Sequence, residues 1–197
     1  MVETKTLPVL SEKAIQAEVK GEAAGVFTVV VPAKRHTTLG LEMDTSADVG
    51  PIIVEVKRGA VGNFNQLNPV RTIQPFDMIV QMDDKKGTKA ILLKMADPIS
   101  EDIKMTLQRP RRMEVSLRKQ ASVSLGVKLV LKENIPGAVV SHVEANGLIA
   151  TWNKQNPSET VQVSDRLLAV NGITQVKENL AEELKKETEL VLTFLKY

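Results

Sequence analysis

Cysteine is missing from all 197 residues, so disulfides, thiol catalysis and thiolate metal sites are excluded at once. Histidine is nearly missing too: His36 and His142 stand alone, and no Gly-x-Ser-x-Gly or phosphate-loop pattern accompanies them. Catalysis therefore has little raw material, no acidic or histidine cluster has ligand spacing, and neither a metal nor a cofactor is called for. His142 falls inside an apolar run and reads as a core or half-buried residue; His36 could at most assist a ligand. A formal charge of +2 gives no field to attract nucleic acid, and the one basic run, "RPRR" at 109–112, reads as a solvated linker. Long apolar runs are also lacking. "VFTVVVPA" and "ILLKMA" fall far short of the roughly 20 residues that span a bilayer, and charges break the opening "MVETKTLPVLSEKAIQ". The expectation is a soluble, intracellular chain, of the cytosol or of an organelle interior such as a plastid or mitochondrion.

What the sequence does contain is a repeat of itself. "TLGL" at 38–41 matches "SLGV" at 124–127 with an offset of 86, and a longer segment matches with an offset of 88. There Gly59, Asn65, Asn68, Pro69, Thr72, Gln74 and Asp77 fall on Gly147, Asn153, Asn156, Pro157, Thr160, Gln162 and Asp165. A period near 90 is too long for a solenoid unit and suits a small complete domain. The chain thus divides into an N-terminal extension at 1–25, a short helix or a disordered arm, and two copies of one fold at 26–110 and 111–197.

Periodicity orders the elements. The first copy reads "VFTVVVPA", "LGLEMD" and "IIVEV" as strands, a brief helix or turn after Gly59, the loop "NFNQLNPVRTIQPF", the strand "DMIVQMDD", the helix "TKAILLKMA" with Thr88 as cap, and the strand "IKMTLQ". The second repeats this with "MEVSLRK", "LGVKLVL", "AVVSHV", a loop into "VSDRLLAVNG", the helix "KENLAEELKK" and "ELVLTFLKY". Asn171 and Gly172 form a turn dipeptide. So many strands and two short helices per copy predict a mainly β chain, two small partly open barrels or sandwiches in tandem. Each core is small, so the copies should pack on each other or on a partner.

A small-Leu-Gly-apolar loop leading an alternating strand, a glycine-marked short helix, an Asp-led strand ending "LLAVNG", and the helix and strand "AEELKK" and "ELVLTFL" together resemble a PDZ domain. The resemblance covers about 170 of the 197 residues, both copies counted. It implies that backbone amides of Leu39, Gly40 and Leu41, and of Leu125, Gly126 and Val127, form a nest for a partner's terminal carboxylate, with Lys34 assisting in the first copy. It implies pockets for the last ligand side chain made by Leu39, Leu41, Met43, Ala90 and Leu93, and by Leu125, Val127, Leu129, Ala181 and Leu184. The position that holds a specificity histidine in one PDZ class is Lys86 or Lys177 here. The chain departs from the pattern at Gln120, opposite Lys34, and at Asp77 and Asp165, which lack a preceding glycine; Gly87 and a shortening near "QMDD" point to a distorted first groove. Phe64 and Trp152 read as plugs that pack the repeated loop onto its own domain.

The expected function is a non-catalytic scaffold that adds a partner's C-terminal peptide as a strand, the partner ending in a hydrophobic residue. Structural service in a larger complex, without a peptide ligand, stays open beside it.

Overall fold

The computed structural model describes residues 25–33, 37–48, 50–96, 102–119, 123–132, 135–174, 182–184 and 189–197. Readings that fall on 1–24 of the extension, Lys34, His36, Gln120, Lys177 and Ala181 lie outside those residues.

In the first repeat, β1 (Val26–Val31), β2 (Leu41–Asp44), β3 (Ile52–Val56), β4 (Met78–Met82), β5 (Lys85–Lys86) and β6 (Ile103–Gln108) form one antiparallel sheet in the order β1-β6-β4-β3-β2, with β5 hairpinned onto β4. Helix α1 (Ala60–Leu67) follows β3, and α2 (Thr88–Ala96) follows β5. The second repeat has β7 (Arg111–Arg118), β8 (Val127–Leu131), β9 (Ala138–Val143), α3 (Leu148–Gln155), β10 (Arg166–Val170), β11 (Ile173–Thr174) and β12 (Glu189–Lys196). Its order, β7-β12-β10-β9-β8 with β11 on β10, is the same plan. Glu182 and Glu183 are helical in the segment where "KENLAEELKK" predicts a helix. The architecture is a tandem of two PDZ-like, mainly β repeats, and among the described residues the strand that follows each glycine loop has only one neighbour.

Alternation decides which residues enter each core. In β7 Met113, Val115 and Leu117 are buried while Glu114, Ser116 and Arg118 are exposed, the period-two pattern of a sheet with one solvated face. The first core gathers Val29, Val31, Ile53, Ile79, Met105 and Leu107; the second gathers Val140, Ile149, Leu167, Leu192 and Phe194. His142 stands on the exposed face of β9, not in the core: the pairing with β8 shifts register between Val140 and His142, and this bulge at Ser141 turns His142 away from the face that buries Val140.

The repeated Asn, Gln and Asp residues form a hydrogen-bonded frame. Asn65 Nδ2 donates to the Ile73 carbonyl at 2.7 Å and its Oδ1 accepts from the Ile73 amide at 2.8 Å; Asn153 does the same to Val161 at 2.9 and 2.8 Å. Asn68 and Asn156 Nδ2 donate to the Phe64 and Trp152 carbonyls, each at 2.9 Å, closing α1 and α3. Asp77 and Asp165 accept the amides of Gln74 and Gln162 at 2.8 and 2.7 Å. A cation completes each turn: Arg109 grips Asp77 through Nε and Nη2, both at 2.8 Å, and Lys196 reaches Asp165 at 2.9 Å. The segment predicted as one loop from Asn63 is thus helical as far as Leu67, and its identities hold a backbone corner in place. Phe64 is buried and Trp152 packs against the second core.

Phe76 and Ser164 occupy the place of the missing glycine, and both adopt left-handed backbone, with φ of 73° and 76°. "RPRR" is no linker: only Arg109 and Pro110 separate β6 from β7, Arg109 lies 4.9 Å over the Phe27 ring, and Arg111 pairs with Glu159 at 2.9 Å.

The two repeats meet through a buried ion cluster. Asp44, at the end of β2, is 1% exposed; it accepts from Ser46 Oγ at 2.6 Å, Lys132 Nζ at 3.1 Å, and Arg166 Nη2. Arg166 also donates to the Pro136 carbonyl at 3.0 Å, which orients its guanidinium within the second repeat. The Tyr197 hydroxyl donates to the Phe76 carbonyl at 2.9 Å. Burial by itself raises the Asp44 pKa, but the Ser46 hydroxyl, Arg166, the Ser46 amide and Lys132 outweigh it and hold the carboxyl at about 2.

Two outcomes follow for stability. Ser164→Gly removes the left-handed strain and raises unfolding free energy by about 1 kcal/mol in urea titrations; a decrease contradicts the reading. Because Asp44 ionises below its ordinary 3.8, its ion cluster stabilises the chain above that pH and the contribution fades as pH falls through about 2. The loss amounts to roughly 2 kcal/mol, and Asp44→Asn flattens the acid limb of stability measured between pH 5 and 2.

Candidate peptide-binding clefts

Each glycine loop is built by spending its carbonyls inward. In the first repeat the Thr38 and Leu39 carbonyls accept the first amides of α1, from Ala60 at 2.9 Å and Val61 at 3.1 Å, and the Gly40 carbonyl accepts from Lys57 at 2.7 Å. In the second, Ser124, Leu125 and Gly126 carbonyls accept from Leu148, Ile149 and Glu144 at 3.1, 3.1 and 2.8 Å. Among the described residues no peptide bond is cis, so each carbonyl and the following N–H point in opposite directions. The N–H groups of Leu39 and Gly40 therefore turn away from α1 and that of Leu41 away from Lys57, just past the end of β3; those of Leu125 and Gly126 turn away from α3 and that of Val127 away from Glu144, just past the end of β9. Among the described residues, the amides of Leu39, Gly40, Leu125 and Gly126 have no hydrogen-bond acceptor. Each loop thus sets these donors beside the N-terminus of a helix.

Glycine is required in these loops. Gly40 and Gly126 take φ of +73° and +75°. A Cβ on Gly126 would lie 2.6 Å from the Gly147 Cα, and one on Gly59 would lie 2.6 Å from the Gly40 nitrogen. The loop glycine and the helix-leading glycine thus touch backbone to backbone in both repeats, which brings the helix amides within reach of the loop carbonyls.

Beyond each loop runs an edge strand with one neighbour. β2 pairs only with β3, and β8 only with β9, among the described residues. Since Gly40 faces β3, alternation turns the N–H and C=O of Leu41 to the open edge. Leu41 and Met43 lean on the first core, with Glu42 exposed; Val127, Leu129 and Leu131 lean on the second, with Lys128 and Val130 exposed.

The site residues read from the sequence divide into groups. Leu39, Leu41 and Met43 share one apolar cluster, and Leu125, Val127, Leu129 and Leu184 share the other. Lys86, Ala90 and Leu93 line a separate shallow cleft with Asp48 and Thr88 at the start of α2. Lys86 lies in β5 and not on the first turn of α2, and Leu93 is 63% exposed. The helix side chains that join Leu41 and Met43 are Ile91, fully buried, and Met95. Their signal was the spacing of Thr88, Ile91 and Met95 at i, i+3 and i+7, which marks the inward face of α2. Thr88 does not cap the helix; its amide donates to the Asp48 carbonyl at 3.0 Å and its hydroxyl to Ala47, tying α2 to the loop after β2. In the second repeat Lys119 Nζ donates to the Leu184 carbonyl at 3.2 Å. Among the described residues no cluster of three His, Asp or Glu could hold a metal ion, and no helix is long and apolar enough to cross a membrane.

No protein-family model and no curated protein matches the chain. Among solved structures it is similar to INAD PDZ45 in complex with NORPA CC-PBM, at 14% identity over 87% of this chain and 91% of that one, TM-score 0.38. It is similar also to INAD PDZ45 with an NG2 peptide, at 15% over 87% and 88%, TM-score 0.37. The second PDZ domain of Dlg1 from Monosiga brevicollis matches at 20% over 44% of this chain and 99% of that one, TM-score 0.37. At such scores the PDZ-like assignment stands on the strand order, the open edges and the glycine loops.

Gly126→Ala should destabilise by about 2–3 kcal/mol, since it adds a clash with Gly147 to left-handed strain. Gly172→Ala, at φ +75° with nothing near its Cβ, isolates the strain alone and should cost about 1 kcal/mol. Equal losses in chemical denaturation would show that the glycine contact contributes nothing.

Proposed function

We propose that the chain is a non-catalytic interaction scaffold that binds the free C-termini of partner proteins by strand addition to β2 and β8. The observation that carries this is the set of inward-spent carbonyls, which leaves Leu39, Gly40 and Leu41, and Leu125, Gly126 and Val127, with their N–H groups turned the other way beside an open strand edge. Such amides favour a carboxylate, and the adjoining strand supplies further main-chain hydrogen bonds. Leu39, Leu41, Met43, Ile91 and Met95 in one repeat, and Leu125, Val127, Leu129 and Leu184 in the other, offer an apolar seat for the terminal side chain. The PDZ resemblance gives Lys34 to the carboxylate, Ala181 to the second pocket and Lys177 to ligand specificity. Lys86, Ala90 and Leu93 act, on this reading, on ligand residues upstream of the terminus, because their cleft lies where β2 ends. Solved PDZ structures with bound peptides are in keeping with this role.

A screen of C-terminal decapeptides against the whole chain tests it. Peptides ending in a free hydrophobic residue should bind, and amidation should weaken them at least about tenfold, as loss of charge-assisted hydrogen bonds requires. Binding that ignores amidation, or no binding to any free terminus, favours the structural-subunit reading.

A further inference from the structure

The C-terminal peptide reading fixes a direction of travel. A ligand whose carboxylate sits at Gly40, ahead of β2, and whose chain pairs with β2 must run antiparallel to it. Its upstream residues leave past Asp44, the last residue of β2. In the second repeat a ligand seated at Gly126 leaves past Leu131, the last residue of β8.

These two exits adjoin. Lys132 directly follows β8, and its Nζ lies 3.1 Å from Asp44 Oδ1. Two side-chain lengths and that contact place the two Cα atoms at most about 13 Å apart. Thr45 and Ser46, just beyond Asp44, are exposed, so the chain leaving the first cleft meets solvent there. The juxtaposition is held by groups that cost much to separate: Arg166, 2% exposed, would lose its partner carboxylate, and Tyr197 its bond to Phe76. Pre-set geometry of this kind lowers the entropic cost of engaging two sites together.

We propose that the two clefts act as one bivalent seat for a partner that presents two free C-termini from a common stem, as a parallel dimer does. A single linear chain cannot fill both seats, since it has one terminal carboxylate. Two independent termini could fill both, but without gaining from their proximity. The inference rests on the C-terminal peptide reading and adds the kind of partner.

The test uses the full chain and the tightest decapeptide of the screen, alone and as a branched ligand in which two copies are joined at their N-terminal ends by spacers of graded length. Calorimetry should show one branched molecule per chain, bound about 10²-fold more tightly than the single decapeptide. The gain should be greatest with the shortest spacers that bridge about 13 Å and should decline as the spacer lengthens. A single decapeptide that fills both clefts while the branched ligand gains nothing, or gains only with much longer spacers, overturns the bivalent seat and leaves the peptide reading intact. Binding of the single decapeptide to one cleft alone overturns the bivalent seat as well. Failure of every free-ended decapeptide overturns both.

Discussion

The contact between two backbones, Gly40 on Gly59 and Gly126 on Gly147, is the constraint from which the rest of each repeat follows. It lets the first amides of α1 and α3 reach the loop carbonyls, and those bonds set the plane of each peptide in the loop. Once the carbonyls face the helix, the amides have one direction left. A side chain at any of the four positions would push the helix away and free the carbonyls to turn.

Around that contact the chain places a frame that is stronger than its small cores would provide alone. Asn65 and Asn153 each give and take a bond with the same backbone residue across the corner, a pairing that satisfies both groups without water. The anchoring cation differs between repeats, a forked Arg109 in one and a point-charged Lys196 in the other, yet both end on the same aspartate position. Then a single carboxylate, Asp44, links the edge strand of the first repeat to the second. The strand that would receive a ligand is also the strand that fixes where the second cleft stands.

Sequence pattern revealed the repeat because the side chains of Asn65, Asn68 and Asp77, and of Asn153, Asn156 and Asp165, bond specific backbone groups at fixed spacing. It revealed the glycine loops as well. It missed the inward face of α2, because the resemblance assigns Ala90 and Leu93 to the pocket, whereas Ile91 and Met95 are the helix residues that meet the core. Nor did it reveal the ion cluster: Asp44 and Arg166 lie 122 positions apart, and neither has a counterpart at the repeat offset that could mark it. The left-handed Phe76 and Ser164 were visible only as an absent glycine. His142 was misplaced because alternation from Ala138 and Val140 puts it on the core face, and the bulge at Ser141 that turns it outward leaves no mark in the apolar pattern.

The central claim is that the loop amides stand free to receive a carboxylate, and amide proton shifts report it directly. Titrating the isotope-labelled chain with a peptide ending in a free hydrophobic residue should move the Gly40 and Gly126 amide protons downfield, with Leu39, Leu41, Leu125 and Val127 close behind. Unmoved glycine amides at saturating peptide, with shifts confined to other surfaces, would contradict the account.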